Sequence, residues 1–127
     1  MPKRRLNLKV RIPHYEEPRN FWLKEIHKNA VEQEIKTGVR YQPEDKLEVI
    51  VRLYSCGKKL QIIDVDNRLK YILDALLGRA GGGRKIAAMK PVIPNNNQIY
   101  RVVIEKIETP EQTYGMGYLV VRKFSDQ

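Results

Sequence analysis

Two carboxylates separated by one residue, Asp64 and Asp66, are the feature of the sequence with the clearest chemical potential. In an extended backbone, residues two apart project to the same face, so this spacing predicts that the two side chains lie close together. At about 5 Å and an effective dielectric constant of about 20, two like charges repel by roughly 3 kcal/mol. A cation between them removes that cost, and Mg²⁺ prefers one or two carboxylates together with phosphate oxygens. The pair therefore predicts a site for Mg²⁺, with Mn²⁺ as a substitute, that acts on a phosphodiester.

Charged residues continue at helical spacing after the pair. Lys70 comes one helical turn after Asp66 and would reach back toward a metal or a scissile phosphate. Asp74 follows Lys70 by the same interval, so an ordinary exposed ion pair on a helix is an alternative. A structural interpretation is also open, in which Asp66 caps a helix and Asp64 is an exposed turn residue. The residues alone do not decide between these interpretations.

The chain is strongly basic, with 24 Lys and Arg residues against 15 Asp and Glu residues and a formal net charge of +9. In a small domain this excess favours a polyanionic partner, nucleic acid first, although a charged surface also serves solubility. A small RNA-binding or ribosome-associated protein would explain the charge equally well, but it would leave the segment from Asp64 to Lys70 unexplained. The candidate contacts to DNA phosphates are Lys58, Lys59, Arg68, Arg79, Arg84 and Lys85.

Composition excludes several classes of protein. Cys56 is the only cysteine, so an internal disulfide is excluded, and two distant histidines cannot complete a Cys/His zinc site. A hydrophobic content of 42% with 31% charged residues is typical of a folded chain. No apolar run approaches the roughly 18 residues of a membrane helix, and no secretory signal is recognisable. We therefore expect a cytoplasmic protein with no membrane partner.

Hydrophobic periodicity predicts the elements that must position these residues. Alternation and short apolar runs predict strands over residues 6–12, 47–53, 60–63, 99–107 and 118–124. Helical spacing predicts a first helix over residues 18–36 that ends before Gly38. A second helix is predicted to be capped by Asp66 or Asn67 and to end at Gly78.

The order of these elements predicts the fold class. Strands and helices follow one another as in an α+β domain, a small mixed β-sheet with two main helices packed on it, and the length suits one domain over residues 1–127. Apolar residues on both faces of residues 99–107 favour a central strand covered by helix. The glycines of residues 78–83 favour a mobile loop.

The segment Asp64-Val65-Asp66-Asn67-Arg68-Leu69-Lys70-Tyr71-Ile72-Leu73-Asp74-Ala75-Leu76 resembles a family signature. It is similar to the D-x-D-N-x-x-K-x-x-x-D-A-L motif of the RusA family of Holliday-junction resolvases, and the later stretch from Gln98 to Val103 resembles the same family. The resemblance implies a RusA-like fold, a homodimer, dependence on Mg²⁺, and paired cuts in opposing strands of a four-way DNA junction during recombination and repair.

The resemblance also implies roles for individual residues. Asp64 and Asp66 match the two metal-binding aspartates of the family, and Lys70 matches its catalytic lysine. At the third acidic position this chain carries Asn96, which keeps a carbonyl oxygen for the metal but removes a negative charge, whether as a natural or an engineered change. Two functions stay open: a metal-dependent endodeoxyribonuclease with activity reduced at Asn96, or a junction-binding protein deficient in cleavage.

Overall fold

The structure is a computed structural model that describes residues 6–15, 17–55, 64–80, 87–109 and 116–125. Its helices are α1 (Arg19–Thr37) and α2 (Val65–Leu76). Its strands are β1 (Leu8–Ile12), β2 (Leu47–Ser55), β3 (Arg79–Ala80), β4 (Ala87–Ala88), β5 (Ile99–Glu108) and β6 (Gly117–Lys123). The short 3₁₀ helix Asn96–Gln98 comes directly before β5. These elements confirm the predicted α+β class.

The main sheet is four-stranded and mixed, in the order β1-β6-β2-β5. The pair of β2 and β5 is parallel, and the other two pairs are antiparallel. Gly117 pairs with both Ile12 and Leu53, whereas Leu47 pairs with both Lys123 and Ile99. These pairs mark the two ends of the strands, which we call the Gly117 end and the Leu47 end of the sheet.

One face of the sheet and the two helices form a single hydrophobic core. Alternate residues of β1 are buried, as its period-two pattern predicts. Apolar residues of α1 and α2, with Trp22 nearly fully buried among them, pack against that face of the sheet. Gly38 ends α1 in the left-handed region with φ 75°, and its N–H donates to the carbonyl of Glu34 at 2.8 Å. The predicted first helix and its stop are confirmed.

The opposite face of the sheet carries no helix of the described residues, and we call it the open face. Its side chains are those that alternate with the buried set and pair across the strands. They include Lys9, Arg11, Glu48, Ile50, Arg52, Tyr54, Arg101, Val103, Glu105, Ile107, Tyr118, Val120 and Arg122.

One sequence prediction about the sheet is wrong. β5 lies at an edge and not at the centre, because β2 and β6 occupy the inner positions. Its apolar residues fall on both faces, but neither face is fully covered: Val102, which pairs with buried Val49, and Val103, which pairs with Ile50 on the open face, are both exposed. Within the predicted glycine-rich loop over residues 78–83, Arg79 and Ala80 form β3, which pairs antiparallel with β4, and residues 81–83 lie outside the described residues. The predicted strand over residues 60–63 lies outside the described residues.

Candidate active site at the start of the second helix

Asp64 is the N-cap of α2. Its Oδ1 accepts hydrogen bonds from the backbone N–H groups of Asp66 at 3.1 Å and Asn67 at 3.4 Å. Its Oδ2 accepts a third from the side-chain amide of Asn67 at 2.8 Å. The backbone of Asp64 is extended, and helical geometry starts at Val65. The prediction that Asp66 or Asn67 caps this helix is therefore wrong, because the cap lies earlier in the chain and satisfies the first free N–H groups of the helix.

Asp66 lies inside the first turn of α2 and is exposed. The strand-like spacing argument does not apply to it, because successive helical residues are about 100° apart around the axis. Its carboxylate forms no hydrogen bond or ion pair with another described residue. Lys70, also exposed, comes one turn later and shares this side of the helix. Asp66 and Lys70 therefore present opposite charges to solvent on one helix face.

The start of α2 can attract both a phosphate and a cation. The helix dipole places partial positive charge there, which favours anions such as phosphate. The carboxylate of Asp66 is available to a hard cation, and Oδ2 of Asp64 keeps one lone pair beyond its hydrogen bond from Asn67. Within the described residues no three His, Cys, Asp or Glu side chains cluster as a complete metal site. The donor set fits an Mg²⁺ ion whose remaining ligands are water and substrate phosphate.

Arg68 is a packing residue rather than a free cation. Its guanidinium lies over the rings of Tyr15 and Trp22, at 3.8 and 5.7 Å from their centroids. Its Nε is buried and has no hydrogen-bond partner among the described residues. This stacking shows where α2 starts relative to the sheet. Trp22, which Arg68 contacts, donates from Nε1 to the carbonyl of Pro13 at 2.9 Å, and Pro13 directly follows β1. The start of α2 therefore lies at the Gly117 end of the sheet.

α1 and α2 are joined beside this site. Arg19 donates to the hydroxyl of Tyr71 at 2.9 Å, and its guanidinium lies 4.8 Å from the centroid of the same ring. This hydrogen bond, followed by electrostatic attraction to the Tyr71 side chain, raises the pKa of Arg19 above its ordinary value. A cavity of about 340 Å³ lies against these two side chains and Asn20.

The structure does not bring Asn96 to the aspartates. Asn96 precedes β5, whose first residue pairs with Leu47, so it lies at the Leu47 end. The nine residues of β2 span the distance between the two ends, about 26 Å at about 3.3 Å per residue. α2 runs from the Gly117 end toward the Leu47 end. The carbonyl of Leu76 at its C-terminus accepts hydrogen bonds from the N–H groups of Val92 and Ile93, which shortly precede Asn96. Asn96 and the start of α2 thus lie at opposite ends of the sheet.

The predicted DNA contacts fall into three groups. Arg79 is exposed in β3, where phosphate could reach it. Arg68 is committed to aromatic stacking as described above. The remaining predicted contacts lie outside the described residues: Lys58, Lys59, Arg84 and Lys85.

Sequence reasoning missed a cluster of cations and tyrosines on the open face. Lys9 lies 4.4 Å from the centroid of the Tyr118 ring, and Arg52 donates to the Tyr118 hydroxyl at 3.1 Å. The basic alternation of β1 signalled the charge of this face, but no sequence pattern shows that three strands bring these particular residues together.

Comparison with known proteins adds no relative. No protein-family model matches the chain, and neither the curated proteins nor the solved structures contain a significant match. None of the described helices combines the length and the apolar character that crossing a bilayer requires.

Proposed function

We propose that this chain is a magnesium-dependent endodeoxyribonuclease that resolves four-way DNA junctions and acts in recombination and repair. The observation that carries the proposal is the exposure of Asp64, Asp66 and Lys70 at the first turns of α2, within the motif that resembles the RusA family. A net charge of +9 supports a DNA substrate, because Lys and Arg side chains bind backbone phosphates. Such contacts do not depend on the base sequence of the DNA.

The side chains divide the chemistry among them. A bound Mg²⁺ supplies an activated water and neutralises charge on the phosphate. Asp66 would hold the ion with its carboxylate, which pairs with no other described residue, and Asp64 would add an oxygen while it keeps the helix capped. Lys70 would offset negative charge that develops on the scissile phosphate. The dipole of α2 would attract that phosphate to the start of the helix.

A second candidate function is binding to DNA junctions without cleavage. Two observations favour it. The carboxylate of Asp64 already accepts hydrogen bonds from Asp66 and Asn67, and Asn96 lies at the opposite end of the sheet from both aspartates. A metal held mainly by Asp66 would bind weakly, because a single carboxylate offers little negative charge and few oxygen ligands to compensate for the water molecules that the ion gives up.

The homodimer implied by the resemblance is part of the proposal, and the exposed edge of β5 supports it. Edge strands present unpaired backbone groups to any second strand. An antiparallel pairing of two copies centred on Val103 would set Arg101 opposite the partner's Glu105, and Val102 opposite the partner's Ile104. Such a two-fold arrangement matches the two opposing strands of a junction.

The test is cleavage of a synthetic four-way junction with Mg²⁺ or Mn²⁺, beside a linear duplex of the same sequence. We expect the wild-type chain to cut the junction selectively, and Asp66→Asn to abolish cutting while junction affinity stays equal or rises slightly, since a negative charge facing phosphate is lost. Glu32→Gln on the exposed side of α1 removes the same charge and serves as the matched control. Sedimentation of the complex reports whether two chains bind one junction.

Each other outcome has a distinct meaning. Selective junction binding with no cutting in either metal supports the second candidate. Cutting that survives in Asp66→Asn excludes the proposed site. Equal affinity for duplex and junction at several salt concentrations argues against structure selectivity.

A further inference from the structure

The open face of the sheet carries an excess of positive charge beside its tyrosines. Its acidic side chains are already paired: Glu48 contacts Arg101 at 3.4 Å and Arg122 at 2.9 Å, and Glu105 contacts Arg52 at 3.2 Å. Lys9, toward the Gly117 end, contacts an aromatic ring instead of a carboxylate. The electrostatic potential around Lys9 therefore favours an anion.

A cavity of about 620 Å³ opens beside Lys9. Lys9, Arg11, Tyr54, Thr109 and Tyr118 are among the residues that line it, and none of its described lining residues is acidic. This volume lies within the range of roughly 300–1,000 Å³ that is typical of sites for small ligands. The lining thus combines aromatic surface with cations.

The two tyrosines are held in a fixed arrangement. Their ring centroids are 5.8 Å apart at an interplanar angle of 36°. Arg52 donates to the oxygen of Tyr118 at 3.1 Å. Interaction with the Tyr54 hydroxyl, followed by this hydrogen bond, lowers the pKa of Tyr118. The backbone before Tyr118 is equally constrained, because Gly117 has φ 150° and a Cβ there would collide with the carbonyl of Arg52. The rings are therefore set in place before any ligand arrives.

We propose that this cavity binds a nucleotide unit, with its base against the Tyr54 and Tyr118 rings and its phosphate near Lys9. Bases stack on aromatic side chains without regard to sequence, and an ammonium group is a point charge suited to phosphate. Either a free nucleotide or one nucleotide of a nucleic-acid strand presents this chemistry. The site lies on the open face and is separate from the aspartates, so it does not depend on the proposed cleavage activity.

The test is calorimetric titration of the intact chain with AMP, adenosine, inorganic phosphate and a short single-stranded oligonucleotide. We expect AMP to bind more tightly than adenosine or phosphate alone, since only AMP carries both recognised groups. Lys9→Gln and Tyr118→Ala should each weaken AMP binding about tenfold. Lys24→Gln on the exposed side of α1 is the charge-matched control, and Tyr118→Phe keeps the ring and should retain most of the affinity.

The ligand arms distinguish the sources of the nucleotide. Tighter binding of the oligonucleotide than of AMP identifies a nucleic-acid strand as the occupant, and binding of AMP alone identifies a free nucleotide. Absence of binding by every ligand overturns the proposal, as does an affinity that Lys9→Gln leaves unchanged. Amide chemical shifts of Gly117 and Thr109 in wild-type protein locate the ligand even if Tyr118→Ala fails to fold, and no shift there on AMP addition also overturns it.

Discussion

Two polar turns of this chain, Asp64–Asn67 and Asn95–Gln98, have similar residues and opposite environments. In the first, Asp64 caps a helix and its side chain is exposed. In the second, Asn95 and Gln98 form a reciprocal capping box, and Gln98 is only 4% exposed. The amide of Gln98 donates to the carbonyls of Gln42 and Asp45, both at 2.8 Å.

The difference shows which polar groups remain available for chemistry. Every polar atom of the Gln98 side chain is used inside the protein, because its Oε1 also accepts from the N–H of Asn95 at 2.8 Å. In the first turn, one carboxylate caps the helix and the other, that of Asp66, has no partner among the described residues. The second turn therefore stabilises the fold, whereas the first can still bind a ligand.

The largest expected effect is on the buried turn. Gln98→Ala removes three hydrogen bonds and leaves their backbone partners unsatisfied, so we expect the free energy of unfolding to fall by about 3 kcal/mol. Urea denaturation measures this loss. Asn97→Ala, at the exposed neighbouring position, should change it by less than about 0.5 kcal/mol. Equal losses in the two variants would contradict the contrast between the turns.

A smaller effect is expected at the exposed turn. Asp64→Ala removes the helix cap and should lower the free energy of unfolding by about 1 kcal/mol, whereas Asp64→Asn keeps a capping oxygen and should lose less. Asp66→Ala should cost only a few tenths, about 0.3 kcal/mol, from the helix dipole. Denaturation curves of the three variants rank them. If Asp66→Ala proves the most harmful, the cap belongs to Asp66 and not to Asp64.

The smallest effect is expected for Asn96→Asp. Asn96 is exposed at the Leu47 end, far from the start of α2, so the added carboxylate should leave both stability and junction cleavage unchanged. Thermal unfolding and the junction assay with Mg²⁺ measure the two quantities. A gain of cleavage would show instead that this position reaches the metal in the functional assembly, as the family resemblance implies.

The sequence by itself determined the local elements. The alternation of β1, the helical spacing of α1 and the glycine stop at Gly38 are all confirmed, because each depends on neighbours within a few residues. The α+β class followed from the order of these elements. The exposure of Asp66 and Lys70 could likewise be predicted from the sequence, since a charged residue at the start of an amphipathic helix is seldom buried.

Only the tertiary structure decided how the elements meet. The sequence of an apolar strand is similar at the centre and at the edge of a sheet. Only the pairing of the strands shows that β5 is an edge strand. Asp64 and Asp66 are both good capping residues. Asp64 is the cap because its backbone is extended and helical geometry begins at Val65. Asn96 resembles a metal ligand in sequence, yet its position depends on the parallel pairing of β2 with β5. The tyrosine cavity has the same origin, because side chains distant in sequence become neighbours only when strands pair.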